Sequence, residues 1–243
     1  DFETAKKNNC KIFIFGDVLD MIVPNDIVRY NVGSDPYHSS AYVNDIVNNA
    51  VEVLKPYIDN ILFVSHGNHE TVYQKRHSCD PLEILVYLLN EKRSKSLPPI
   101  IMGDYIGFIQ LSYEHKAGGH IRKQLWYFDH GKGGASEVTK GTIGINRMMM
   151  RANADVYLSG HTHNKVVLPS ESIFDIDARG QIYDRKRTAI VTGSYLKNVK
   201  KTGKHYQPDY GYEKMRSNQS TGGVMITHKI NHDRLETSIH IDV

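Results

Sequence analysis

The chain has 243 residues, 40% of them hydrophobic and 23% charged, with a net charge of +3. That balance is ordinary for a soluble globular protein with a sizeable core, and its mild basic excess tolerates an anionic substrate without demanding one. Two cysteines, Cys10 and Cys79, exclude a disulfide framework and a CxxC zinc site, and they point to a reduced, cytoplasmic setting.

No signal peptide is visible, no stretch approaches the length of a membrane span, and there is no internal repeat or low-complexity tract. Residues 2–9 read as the last turns of a helix. "KIFIFGD" (11–17) reads as a buried strand and its exit loop. Residues 41–58 carry Val43, Ile46, Val47, Ala50, Val51 and Leu54 on one helical face, and Pro56 marks the end. "NILFVSHGNHE" (60–70) is a second strand and exit loop. Asp80 followed by Pro81 opens a helix over 80–93.

The pattern then changes. Residues 105–114 and 120–131 read as strands joined by a hairpin through "HKAGG", and 145–154 reads as a helix. "DVYLSGHTHN" (155–164) is another strand with a polar end. "KVVLP", "IFDID", "QIYD" and "TAIVTGSYL" read as hairpin strands, with "ARG" as a turn. Residues 200–219 read as a long polar, Tyr-rich loop, and "GGVMITHKI" and "ETSIHIDV" read as closing strands. The first half alternates strand and helix and the second half is mostly strand. The expected class is therefore mixed α/β, in a single domain over 1–243.

Four strand ends carry polar knots: "GDVLD" (16–20), "GNHE" (67–70), "DHGKGG" (129–134) and "GHTH" (160–163). Glycine beside a candidate ligand lets the backbone turn sharply and approach closely. Imidazole, carboxylate and amide oxygen together suit a borderline divalent metal such as Mn, Fe or Zn. Each motif alone is weak. Four in this order, all following apolar runs, form a pattern.

That order resembles the calcineurin-like metallophosphoesterase superfamily, firmly over residues 11–164 and loosely beyond. The resemblance implies two mixed sheets packed face to face and flanked by helices, an αββα sandwich. It also implies two divalent ions at the strand ends and hydrolysis of phosphate esters by a two-metal-activated hydroxide. Position by position, Asp17 matches the carboxylate that bridges both metals. Asn68, His130 and His161 match ligands of the second metal, and His163 a ligand of the first. His69 matches a histidine that faces the substrate rather than the metal, and Asp20 the carboxylate that hydrogen-bonds it. Glu70 is read as supporting the ligands from behind. His130 is preferred to His115 and His120 because it ends an apolar strand and precedes Gly131. His38, His66, His77, His205, His228, His232 and His240 are read as surface or satisfied core; His66, which abuts GNHE, carries a second reading as a residue lining the cleft.

One family motif, Asp-x-His at the end of the first strand, is absent from this chain; "DFE", "SDPYH" and "IHIDV" do not match it. The expected reason is that the chain starts inside the first helix, so that the first strand and two ligands of the first metal lie outside it. The second metal keeps Asp17, Asn68, His130 and His161, and the first keeps Asp17 and His163. A lone ion in the second position is therefore expected.

Met21 and Ile22 follow GDVLD, which departs from the Arg-Gly of the serine/threonine phosphatase branch. Tyr195, Lys197, Lys200, Lys201, Lys204, Tyr206 and Tyr210 interleave base and aromatic, a mixture suited to a nucleotide or nucleic-acid phosphodiester. The expected activity is a phosphodiesterase or a nuclease. The alternatives are a phosphomonoesterase and an inactive binding protein that kept the fold.

Overall fold

The computed structural model describes residues 1–22, 41–113, 122–133, 138–196, 199–202, 205–208, 221–231 and 234–240. The hairpin tip through His115 and His120, and the segment with His38, lie outside them, as do Lys197, Lys204, Tyr210 and His232. The chain divides into two compact units, Asp1–Tyr105 and Ile106–Val243. The class is mixed α/β, with a parallel sheet in the first unit, a mixed sheet in the second, and helices in both. Among the described residues no helix is long and apolar enough to cross a membrane.

The first unit runs α1 (Phe2–Lys7), β1 (Ile12–Phe15), α2 (Tyr42–Leu54), a 3-10 turn (Lys55–Tyr57), β2 (Ile61–Ser65), α3 (Asn68–His77), α4 (Pro81–Lys92) and β3 (Ile101–Gly103). Its strands lie in the order β1-β2-β3, all parallel. Parallel neighbours need crossover connections, and helices α2 and α4 carry the apolar stripes that cover the sheet. Ile46, Val47, Val51 and Leu54 of α2 and Leu82, Leu85, Val86 and Leu89 of α4 are buried in one core with Ile61 and Val64 of β2. Asp80 caps α4: its Oδ1 accepts the N–H groups of Leu82 (3.0 Å) and Glu83 (3.3 Å). Two elements, α3 and β3, have no counterpart in the sequence reading.

The second unit contains β4 (Ile106–Tyr113), β5 (Arg122–Asp129), α5 (Thr142–Arg151), β6 (Val156–Ser159), β7 (Lys165–Val167), β8 (Glu171–Ile176), β9 (Ile182–Thr192), β10 (Val199–Thr202), β11 (His205–Pro208), β12 (Met225–Asn231) and β13 (Arg234–His240). The main sheet has the order β4-β5-β6-β9-β7. β5, β6 and β9 are mutually parallel, and α5 makes the crossover from β5 to β6. Tyr127, Ile145, Met148, Ala154, Tyr157, Ala189 and Val191 form its core.

Two expectations are corrected here. "QIYD" and the following "TAIVT" belong to one strand, β9, whose polar first half pairs with β8 and whose buried second half lies between β6 and β7. The long loop expected from residue 200 begins as a hairpin: Val199–Thr202 pairs antiparallel with His205–Pro208.

The β12–β13 hairpin is tied to β4 and β5 by a polar chain. Trp126 Nε1 donates to Gln124 Oε1 (2.7 Å), Gln124 Nε2 donates to Thr237 Oγ1 (2.9 Å), and that hydroxyl lies 3.2 Å from His228 Nδ1. The His228 ring packs against Tyr113 at 5.2 Å between centroids. Burial pushes the Tyr113 hydroxyl up to about 12 and the His228 ring below the ordinary histidine value. A histidine depressed in the folded state leaves the unfolded chain to take up the proton first. The stability it contributes is therefore complete above pH ~6.5 and declines as pH falls below that value toward the folded pKa. Trp126 is the only tryptophan in the chain. Its fluorescence in urea titrations is expected to show a midpoint that drops between pH 7.5 and 5. The drop should be smaller in His228→Phe; an unchanged pH dependence in that variant would exclude the histidine as its source.

Candidate active site

In the first unit, β1 and β2 end in register, Phe15 opposite Ser65, so their exit loops leave the sheet side by side. Gly16 and Asp17 both take positive φ, 82° and 51°. Aspartate tolerates that left-handed conformation better than most residues. Asp17 Oδ1 accepts the backbone N–H of His69 at 3.0 Å. That amide belongs to the first turn of α3, where Gly67 holds the N-cap position without a side chain to offer. Asp17 therefore caps the helix from the neighbouring loop, with its negative charge at the positive end of the helix.

Glu70 binds the two loops together. It is 0% exposed. Its Oε1 accepts Leu19 N–H (2.9 Å), and its Oε2 accepts Gly67 N–H (2.9 Å) and Asp17 N–H (3.2 Å). The Gly67 bond is the reciprocal half of a capping box. Burial pushes the Glu70 carboxyl up, against the opposing pull of the N–H groups of Leu19 and Gly67. Gly67 has an ordinary φ of −111°. It is required for space: a Cβ there would lie 2.1 Å from Asp17 Oδ1 and 2.2 Å from Asp17 N.

His69 Nδ1 lies 3.1 Å from Asp20 Oδ1. Burial pulls the His69 ring down, but the Asp20 hydrogen bond and the charges of Asp17, Asp20 and Glu70 together raise it above the ordinary value. The ring therefore holds its proton to a higher pH than a free histidine. The Asp20 side chain is 78% exposed, so solvent screens its half of the pair. Asn68 opens α3 beside it.

In the second unit, β5 and β6 also end in register, Asp129 opposite Ser159. His130 follows β5 and is 2% exposed. His161 follows β6 through Gly160, and the His130 and His161 rings lie edge to face at 5.3 Å between centroids. Asp129 Oδ1 accepts Gly131 N–H at 2.9 Å, and Gly131 has a φ of 101°. A Cβ on Gly131 would meet Ser159 Oγ at 3.2 Å and His161 Cβ at 3.4 Å. His161 and His163 both have positive φ, 61° and 59°.

Six non-glycine residues with positive φ occur among the described residues, and three are ligands expected from the sequence: Asp17, His161 and His163. Backbone strain of that kind collects where side-chain aim matters. Within each unit the expected residues are brought together: Asp17, Asp20, Asn68 and His69 in the first, His130 and His161 in the second, with His163 on the same turn as His161. In the second unit two imidazoles lie 5.3 Å apart between ring centroids, and in the first a helix-capped carboxylate stands beside an amide; each is a donor type that suits a borderline divalent ion.

The role of Glu70 as the brace of both loops is more specific than the sequence reading gave it. Its signal was its place three residues after the glycine that precedes the helix. Comparison with protein-family models, curated proteins and solved structures found no match.

Proposed function

We propose that this protein is a metal-dependent phosphoesterase of the calcineurin-like kind, acting on phosphodiesters and on nucleotide or nucleic-acid substrates among them. The observation that carries the reading is the division of labour in the "HGNHE" turn. The Asp17 carboxylate is braced by the His69 main chain, while the His69 ring is engaged by Asp20. A ligand frame and a proton donor thus come from one helix turn without competing.

Asp17, Asn68, His130 and His161 would hold one divalent ion, and Asp17 and His163 would contribute to a second. Such ions supply positive charge to the phosphoryl oxygens and acidify water. The chain's own contribution is orientation and a proton. With Nδ1 bonded to Asp20, His69 would present Nε2 to the leaving oxygen, and the ring, raised above its ordinary value against the pull of burial, favours its protonated form. Glu70 and Gly67 hold Asp17 in the left-handed conformation that the site uses. Preference for diesters rests on the interleaved bases and aromatics after GHTH, beginning with the exposed Tyr195. Both cysteines are free, which suits a reducing cytoplasm.

The test is turnover with Mn2+ of bis-p-nitrophenyl phosphate, p-nitrophenyl phosphate and single-stranded DNA. Hydrolysis of the diester, abolished by chelator and restored by Mn2+, is expected. Hydrolysis of the monoester alone would reassign the substrate class. Bound metal with no turnover on any of the three would leave a binding protein.

A further inference from the structure

His66 takes no part in the roles assigned above, yet it is 4% exposed and fully engaged. Its main-chain N–H donates to the Gly103 carbonyl at 3.2 Å, and its ring Nδ1 lies 3.1 Å from the same oxygen. Its Nε2 lies 2.8 Å from Asp80 Oδ2. Each ring nitrogen thus faces an oxygen, so the ring is held from both sides. Asp80 is itself the cap of α4, and its Oδ2 also accepts the Gln74 side-chain amide of α3 at 3.1 Å. One imidazole therefore joins the end of β3, the start of α4 and the body of α3. It does so at the residue directly before Gly67.

We propose that His66, acting with Asp80, is a positioning residue that fixes the first turn of α3 and so the aim of Asn68 and His69. This deepens the phosphoesterase reading and rests on it. The geometry leaves that turn little slack. On one side Gly67 approaches Asp17 so closely that no Cβ fits. On the other, His66 is held at both ring nitrogens and at its main-chain amide. A buried polar pair often stabilises a fold no more than apolar residues of the same volume would, and in some proteins its use is to select one arrangement among several. Groups that orient metal ligands from outside the coordination shell act in this way, and losing them weakens metal affinity or activity by roughly 10–100-fold.

The experiment compares His66→Phe, which keeps the ring shape and removes both ring nitrogens, with Asp80→Asn, which keeps the capping oxygen. Three quantities are read for each variant and for their combination. They are amide hydrogen exchange at residues 67–71, Mn2+ affinity by titration of the metal alone, and kcat and KM for bis-p-nitrophenyl phosphate. Expected are faster exchange confined to 67–71, Mn2+ binding weakened roughly 10–100-fold, and a fall in kcat with KM little changed. The double variant should be no worse than His66→Phe. A lowered melting temperature with exchange, Mn2+ affinity and kcat all at parental values would show that the pair only packs, and would overturn the proposal. If His66→Phe does not fold, Asp80→Asn decides by the same readouts. A parent that binds Mn2+ but hydrolyses nothing refutes the phosphoesterase reading alone, and exchange and affinity still decide on His66. A parent that binds no Mn2+ refutes the metal reading, and exchange still decides.

Discussion

His69→Ala is expected to lower turnover of bis-p-nitrophenyl phosphate by roughly 10²–10⁴-fold, the range that a positioned general acid contributes, while Mn2+ affinity stays near the parental value. The two outcomes separate because the residue makes two contacts through different atoms. Its main-chain N–H is bonded to Asp17 Oδ1, and alanine keeps that bond. Its ring is bonded to Asp20, and alanine deletes that contact. The side chain is not among the expected ligands, so the metal frame should survive. Asp20→Asn should act in the same direction and less strongly, because Asp20 is largely exposed and its charge is screened. Loss of Mn2+ in His69→Ala would mean that the ring is a ligand and that its assignment as proton donor is wrong.

Glu70→Ala is expected to cost stability more than any other single change in the site. It strands three main-chain donors, on Asp17, Leu19 and Gly67, in a place where Glu70 is fully buried. Each unsatisfied buried donor costs roughly 1–3 kcal/mol, so for three donors a loss of at least about 3 kcal/mol is expected in urea unfolding. Glu70→Gln is the informative contrast. Its amide oxygen can still serve Gly67 and Asp17, while its NH2 would face the Leu19 N–H, so about one donor's worth, roughly 1–3 kcal/mol, should be lost. Equal effects of the two substitutions would show that charge, and not donor satisfaction, is what Glu70 contributes.

The residues of the candidate site stood out in the sequence because they are polar and the strands before them are apolar. Asp17, Asn68, His130 and His161 each stand within a few residues of the end of a hydrophobic run, and that contrast survives in one dimension. Helix α2 was legible for the related reason that its inward stripe is apolar. Helix α3 was not. Its one buried residue is Glu70, so no periodic apolar face marks it. What makes α3 a helix is its cap, supplied by Asp17 from a distant part of the chain and by Glu70. Long-range capping leaves no local trace.

The same limit explains the strands. β3 is three residues long with Ile101 and Met102 exposed, too short for alternation to register. β9 changes character halfway, polar where it pairs with β8 and buried where it enters the main sheet. It therefore looks like two elements. β10 and β11 are joined by main-chain hydrogen bonds, which side-chain polarity does not encode.

The bonds made by Glu70 have an implication for how such a site could change over generations or be redesigned. All three go to main-chain amides, so the frame they impose does not depend on which side chains occupy positions 17 and 19. Variation at position 17 is instead filtered by its φ of 51°, which asparagine and glycine share comfortably and branched residues do not. Asp17→Asn is thus the natural silent-scaffold variant, a change of charge and ligand strength on an unmoved backbone. Position 67 has no such latitude. In a library built on this loop, 67 and 70 stay constant, 19 stays apolar because Leu19 is buried in the core, and 17 is limited to residues that tolerate its φ and can still cap α3.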